Sequence, residues 1–166
     1  MPEPEEIMAW LATELASNAD LKGKRVLVSA GGTLEPIDPV RYIANRSSGK
    51  MGYALANAAN ARGAQVTLVT TKSDLPVPRG IQVEKVVTAA EMEAVLLKHF
   101  PTADITIMAA AVADYRVAQI SSQKIKKKNE TWELKLLKNP DILKHLGQIK
   151  RADQYLVGFA AETDEL

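Results

Sequence analysis

The chain has 166 residues, 46% of them hydrophobic and 25% charged, a net charge of +1 and no cysteine. This is the make-up of one globular domain with a sizeable core; it excludes disulfides, thiolate metal sites and a cysteine nucleophile, points to a reducing cytoplasm, and gives no mandate for nucleic acid. No apolar run approaches a membrane span, and the opening Met1-Pro2-Glu3-Pro4-Glu5-Glu6 is acidic where a signal peptide is basic, so no membrane partner is expected.

In chain order, Pro4 to Ser17 places Ile7, Met8, Trp10, Leu11 and Leu15 at helical spacing, with acids in the first turn, and reads as a docking helix. Asn18 to Lys24 links it to the apolar run Arg25 to Ala30, a buried parallel strand. The boundary falls between a linker and docking helix, residues 1–22, and the main domain, residues 23–166. After a long connection, Tyr53 to Arg62 is an Ala-rich helix stopping at Gly63, and Val66 to Thr70 is a second strand, completing a βαβ unit. Lys72 to Arg79, with Asp74, Pro76 and Pro78, is loop, and Ile81 to Val87 a third strand. Thr88-Ala89-Ala90-Glu91 is a capping box opening a helix through Phe100, followed by a buried strand, Ile105 to Ala110. Lys124 to Lys128 and Thr131 to Leu136 flank an Asn129-Glu130 turn and predict a basic hairpin. Asn139-Pro140-Asp141 reads as an N-cap with proline at the first helical position, opening a helix to about Lys150; Tyr155 to Ala160 is a last strand. The fold class is α/β: a Rossmann-like, doubly wound, mostly parallel sheet with helices on both faces and a basic flap.

The connection from Gly31 to Gly52 departs from an ordinary α/β domain. Connections of this kind normally take about two to six residues; here about twenty intervene, with Glu35, Pro36, Asp38, Pro39, Arg41 and Arg46 among them. Excess length at the carboxyl end of a parallel strand points to a ligand site. A dinucleotide fingerprint is absent, since the tip of the second strand reads Thr70-Thr71-Lys72 with no acid for a ribose, and Gly49-Lys50-Met51 breaks a Walker loop. Ser47-Ser48-Gly49-Lys50 at a helix start suits an anion, or else the glycines only permit a tight turn and close packing. Arg41, Asn45 and Arg46 suit a carboxylate or phosphate, or form a solvated loop. Asp38 reads as turn chemistry, Asp114 as either a base or ribose reader or a loop residue. The lysines at 124, 126, 127 and 128 either close over a polyphosphate or protect a strand edge. His99 and His145 fit neither a metal site nor a catalytic triad.

Five blocks in order carry a resemblance: Gly31-Gly32-Thr33, Glu35-Pro36, Asp38-Pro39-Val40-Arg41-Tyr42-Ile43, Asn45 and Ser47-Ser48-Gly49-Lys50-Met51-Gly52 as the first; Ala110 to Tyr115; Lys124 to Lys127; Lys138 to Ile142; and Gly158 to Thr163. Together they resemble the phosphopantothenoylcysteine synthetase family, the ligase domain of the bacterial bifunctional coenzyme A biosynthesis protein. The resemblance implies that CTP activates the carboxylate of 4′-phosphopantothenate as an acyl-cytidylate, and that the amine of L-cysteine then displaces CMP. It implies Asn45 and Lys124 as catalytic, and Ala109, Ala110, Ala111, Asp114, Lys124, Pro140, Asp141, Ile142, Leu143 and Phe159 as CTP-binding. Arg41, Asn45, Ser47, Ser48, Gly49 and Lys50 would then hold phosphopantothenate or phosphate. Mg²⁺ would come with CTP, without a cage of protein side chains. FMN would belong only to a fused decarboxylase domain outside this chain, and the full-length protein is expected to be a homodimer. The family chain runs on past the last block, so this stretch is expected to hold CTP weakly and to turn over poorly. A dehydrogenase using NAD(P) and a nucleotide-binding module without catalysis are the competing classes.

Overall fold

The computed structural model describes residues 19–72, 74–77, 79–127 and 130–160. The predicted docking helix, Lys128, Asn129 and the Ala161-Glu162-Thr163 end of the last motif lie outside them. The elements are β1 (Arg25–Ala30), β2 (Leu34–Pro36), β3 (Tyr42–Ala44), α1 (Lys50–Ala61), β4 (Gln65–Thr70), β5 (Ile81–Lys85), α2 (Ala89–His99), β6 (Ile105–Met108), β7 (Tyr115–Val117), β8 (Leu136–Lys138), α3 (Ile142–Ile149) and β9 (Tyr155–Gly158).

β1 is mostly apolar because it is covered on both faces: Val26 to Ala30 are all buried, Ser29 the one polar residue among them. It is the middle of a five-stranded sheet ordered β5-β4-β1-β6-β9, with every neighbouring pair parallel. Val26, Val28 and Ala30 point to one face and pack under α1 with Tyr53, Ala56, Ala59 and Leu68. Leu27 points to the other, under α2 and α3, with Met92, Leu96, Phe100 and Leu146. Each fully buried side chain of this size stabilises the fold by about 1.5–3 kcal/mol relative to its exposed state. The strand order reverses between β1 and β6, and their carboxyl ends therefore face a crevice between oppositely directed crossovers.

Several boundaries differ from those expected. α1 begins at Lys50, three residues before Tyr53, because Gly49 in the left-handed region (φ 74°) turns the chain directly into helical geometry. β5, β6 and β9 end at Lys85, Met108 and Gly158, short of the ends predicted, where the chain leaves its ladder for the edge loops. The capping box is present: Glu91 N–H donates to Thr88 Oγ1 at 3.2 Å and Thr88 N–H to Glu91 Oε2 at 3.3 Å.

Two corrections are larger. The lysine stretch is not a hairpin arm; the antiparallel pair is β7 with β8, with Val117 opposite Leu136, and the described lysines lie in the irregular segment between them. The reason is that the N–H and carbonyl of Ile125 are taken by Asp38 and Arg41, which leaves them unavailable to a strand partner. The helix after Pro140 is capped by Asp141, whose Oδ1 accepts from Lys144 N–H at 3.0 Å; Asn139 is used elsewhere.

Candidate functional site

The crevice at the carboxyl edge is built by stitching the long first connection to the segment after β6. Gly32 pairs with Ala111 as an isolated parallel bridge, Ala111 N–H donates to the Gly31 carbonyl at 2.8 Å, and Thr33 N–H donates to the Ala111 carbonyl at 3.3 Å. The side chain of Thr33, fully buried, accepts from Ala113 N–H at 2.9 Å. Asn45 extends the seam, its Nδ2 donating to the Val112 carbonyl at 3.1 Å. The excess residues are thus ordered as the β2–β3 hairpin, in which Glu35 faces Ile43.

That hairpin is fixed from the far side as well. Glu35 is buried, and its Oε1 accepts from Ala89 N–H at 2.8 Å, in the first turn of α2, where the helix dipole favours a carboxylate. Leu34 N–H also donates to the Val87 carbonyl at 2.9 Å. Sequence reasoning missed the roles of Glu35 and Thr33; their partners lie far along the chain, and neither side chain announces a long-range tie.

Asp38 does the same for the basic segment. Its side chain is fully buried and takes five donors: Val40 N–H (2.9 Å), Arg41 N–H (2.9 Å), Arg41 Nε (3.0 Å), Arg41 Nη2 and Ile125 N–H (3.1 Å). The Arg41 guanidinium, aided by these amides and opposed by burial, holds the Asp38 carboxyl well below the usual carboxylate range. Arg41 Nη2 also donates to the Ile125 carbonyl at 2.8 Å, and its guanidinium lies 4.7 Å from the centre of the Trp132 ring. Arg41 therefore sits inside a cluster and is not presented alone to an anion.

At the amino end of α1, Gly49 is buried, and Gly49 N–H and Lys50 N–H make long bonds to Ser47 Oγ (3.3 Å) and Ser48 Oγ (3.4 Å). Gly49 supplies no capping side chain, so the first turn leaves backbone donors facing the β1 tip, with Lys50 exposed beside them. Tyr53 fixes the β4 tip by donating from its hydroxyl to the Lys72 carbonyl at 2.8 Å.

The opposite wall comes from the end of β6 onward. Ala109, Ala110 and Ala111 are half-buried, and Ala110 N–H donates to Ser29 Oγ at 3.2 Å. Asp114 is exposed, while its carbonyl accepts from Asn139 N–H at 2.7 Å. Asn139 is buried: Nδ2 donates to the Ala113 carbonyl at 2.7 Å and Oδ1 accepts from Arg116 Nη1 at 3.0 Å. It thereby holds the Ala113-Asp114 segment to the start of α3, where Pro140 and Asp141 are exposed and Ile142 is buried. Leu143 packs on Gly158, where a Cβ would lie 2.4 Å from Leu143 Cδ2, and Phe159 stands exposed just beyond. Lys124 is exposed next to the clamped Ile125.

The structure thus gathers the residues at 45, 47–50, 109–114, 140–143 and 159 along one edge of the sheet. His99 and His145 are elsewhere: His99 Nε2 pairs with Glu84 Oε1 at 3.1 Å, depressing the Glu84 carboxyl, and His145 Nδ1 meets Glu93 Oε1 at 2.9 Å between α3 and α2. Among the described residues no three His, Asp or Glu side chains gather as a metal cage, and no helix is long and apolar enough to cross a membrane.

The family model for the DNA/pantothenate metabolism flavoprotein C-terminal domain matches residues 21–166. The coenzyme A biosynthesis bifunctional protein CoaBC of Haemophilus influenzae is 46% identical over 166 residues, which is all of this chain and 42% of that protein. CoaBC of Mycobacterium tuberculosis is 47% identical over 176 residues, covering 99% of this chain and 42% of the relative. The chain therefore spans less than half the length of these relatives. The crystal structure of a CoaBC C-terminal domain superposes with a TM-score of 0.75 at 43% identity, over 88% of this chain and 68% of that one. A Cab2 variant in complex with phosphopantothenate-cysteine shares the fold, with a TM-score of 0.71 at 20% identity over 99% of this chain and 73% of its own.

Proposed function

The chain belongs to the DNA/pantothenate metabolism flavoprotein C-terminal domain family, and from that premise we propose that it is the nucleotide-binding part of a phosphopantothenate–cysteine ligase of coenzyme A biosynthesis. The observation that carries the reading is the seam joining Gly32, Thr33 and Asn45 to Ala111, Val112 and Ala113 at the point where the strand order reverses. The seam supports an anion at the start of α1 next to a base and ribose at residues 111–114.

In this reading the pantothenate carboxylate oxygen attacks the α-phosphorus of CTP, the α–β phosphoanhydride breaks, and pyrophosphate leaves. The amine of L-cysteine then attacks the acyl carbon, loses a proton, and expels CMP. Ser47, Ser48, Gly49 and Lys50 hold phosphate, Asn45 orients the acyl-cytidylate, Lys124 meets charge that develops on the phosphates, and Asp114, Leu143 and Phe159 border the cytidine. Among the described residues no carboxylate cage forms, which fits a Mg²⁺ that would arrive with the nucleotide; Asp114 is the exposed carboxylate that would help hold it, and the ion would supply charge neutralisation for the phosphates. FMN would belong to a fused decarboxylase part of a longer cytoplasmic protein, and the exposed Tyr115, Leu136 and Leu137 of β7–β8 support pairing with a second copy. The family match beginning at residue 21 supports the domain boundary at residues 22 and 23.

Thermal shift tests the reading. CTP with Mg²⁺ at a hundred times its Kd should stabilise the chain by about 2.7 kcal/mol, with ATP giving less and NADPH nothing. A shift with NADPH alone would favour the dehydrogenase class. In a full-length ligase, Asn45→Asp sets a carboxylate against the Val112 carbonyl and should slow amide formation on the order of a hundredfold; normal turnover would sink the assignment of the loop.

A further inference from the structure

Asp38 and Arg41 lie in the turn between β2 and β3 and form a densely bonded polar cluster around the described part of the basic segment. Two arms of that segment meet them. On one arm, both backbone groups of Ile125 are taken: its N–H by Asp38 Oδ2 and its carbonyl by Arg41 Nη2. On the other, Trp132 lies over the Arg41 guanidinium. Lys124 and Lys126 flank the clamped residue and are exposed. Binding both backbone groups of one residue fixes its position and direction, so the chain on either side leaves the clamp with little freedom. The buried carboxylate is itself fixed by the turn amides of Val40 and Arg41.

We propose that Asp38 and Arg41 are positioning residues that set the root of the basic segment, presenting Lys124 to the polyphosphate of the nucleotide. The inference rests on the ligase reading for the identity of the ligand, and on geometry alone for the clamp. A guanidinium fork matches the carboxylate and the Ile125 carbonyl at once, which an ammonium at the same position cannot do. Asp38 therefore acts through Ile125 and touches no substrate.

Limited trypsin digestion of the chain, with CTP and Mg²⁺ as the probe, tests this. Asp38→Asn weakens the acceptor of Ile125 N–H, and Ile125→Pro removes that N–H while leaving the ion pair intact, so the second variant stands if the first fails to fold. Without nucleotide, Asp38→Asn should be cut after Lys124, Lys126 and Lys127, and Ile125→Pro, in which proline after Lys124 blocks trypsin there, after Lys126 and Lys127, in each case at least about tenfold faster than the parent at the same sites and with cleavage elsewhere unchanged. With nucleotide, half-protection should need about tenfold more CTP. Parent-like cleavage in both variants, or faster cleavage at every site alike, would overturn the clamp. Absence of protection in the parent and both variants would instead overturn the nucleotide reading, while the ligand-free rates still decide the clamp.

Discussion

Gly52→Ala is expected to lower the melting midpoint by about 6–12 °C and to weaken nucleotide binding with it. A Cβ at this position would lie 2.5 Å from Ala30 Cβ and 2.9 Å from the Ser29 carbonyl oxygen. Both atoms belong to the end of β1, which is buried on both faces and bonded to β4 and β6, so the strand cannot retreat. The helix must move instead, and overpacking of this kind costs about 3 kcal/mol, each kcal/mol being worth about 2–4 °C in a domain of this size. Because Gly52 lies in the first turn of α1, the displacement tilts the amide groups at Gly49 and Lys50, held only by long bonds to Ser47 and Ser48, away from the β1 tip. Asn57→Ala, on the exposed face of the same helix, should change stability by less than about 0.5 kcal/mol. Circular-dichroism melts of both variants decide the point; a midpoint for Gly52→Ala within 2 °C or so of the parent would show that β1 and α1 separate more easily than argued.

What could be read from the sequence follows from how locally each feature is determined. β1, β4 and β6 announce themselves as short apolar runs because burial on two faces demands nothing else. The capping box at Thr88 and Glu91 is legible since both halves lie within four residues. That the long connection would lie over the carboxyl edge, where the candidate site is, was legible for a different reason: a connection that long has few other places to go. Its contents were not. The dinucleotide fingerprint fails as a string, yet Gly49 and Gly52 perform two of its physical roles, close approach of backbone and close helix packing, with the β2–β3 hairpin inserted after Gly31 and Gly32.

The lysine segment misled because alternation of Lys124, Ile125 and Lys126 matches an edge strand as well as it matches an irregular chain anchored by one residue. Only the buried Asp38 decides between them, and its partner Ile125 lies 87 positions away. Glu35 is silent for the same reason: an acid before a proline looks like a turn, and its use in the first turn of α2 depends on a fold already formed. The family blocks record these residues without saying what they touch.

Asn139 offers the clearest discrimination between the local reading and the tertiary one. If it were the helix N-cap, aspartate would serve as well, since Asn and Asp rank together at that position. The structure makes it a tether that must donate: Nδ2 reaches the buried Ala113 carbonyl at 2.7 Å while Oδ1 accepts from Arg116 at 3.0 Å. Asn139→Asp keeps the acceptor and replaces the donor by an oxygen facing an oxygen. Leaving such a buried carbonyl unsatisfied costs about 1–3 kcal/mol, or about 4–8 °C at the middle of that range. By contrast, Asp141→Asn should be tolerated to within about 0.5 kcal/mol, because the capping oxygen that accepts from Lys144 is retained. The two substitutions are chemical mirror images two residues apart, so a general sensitivity of this turn cannot produce opposite results. Asn139→Asp should also raise the Kd for CTP, since Ala113 and Asp114 lose their tie to the start of α3, whereas Asp141→Asn leaves that tie in place. Equal melting midpoints for the two variants would return Asn139 to the role of a cap and remove the physical link between the β6 segment and α3 on which the far wall of the site depends.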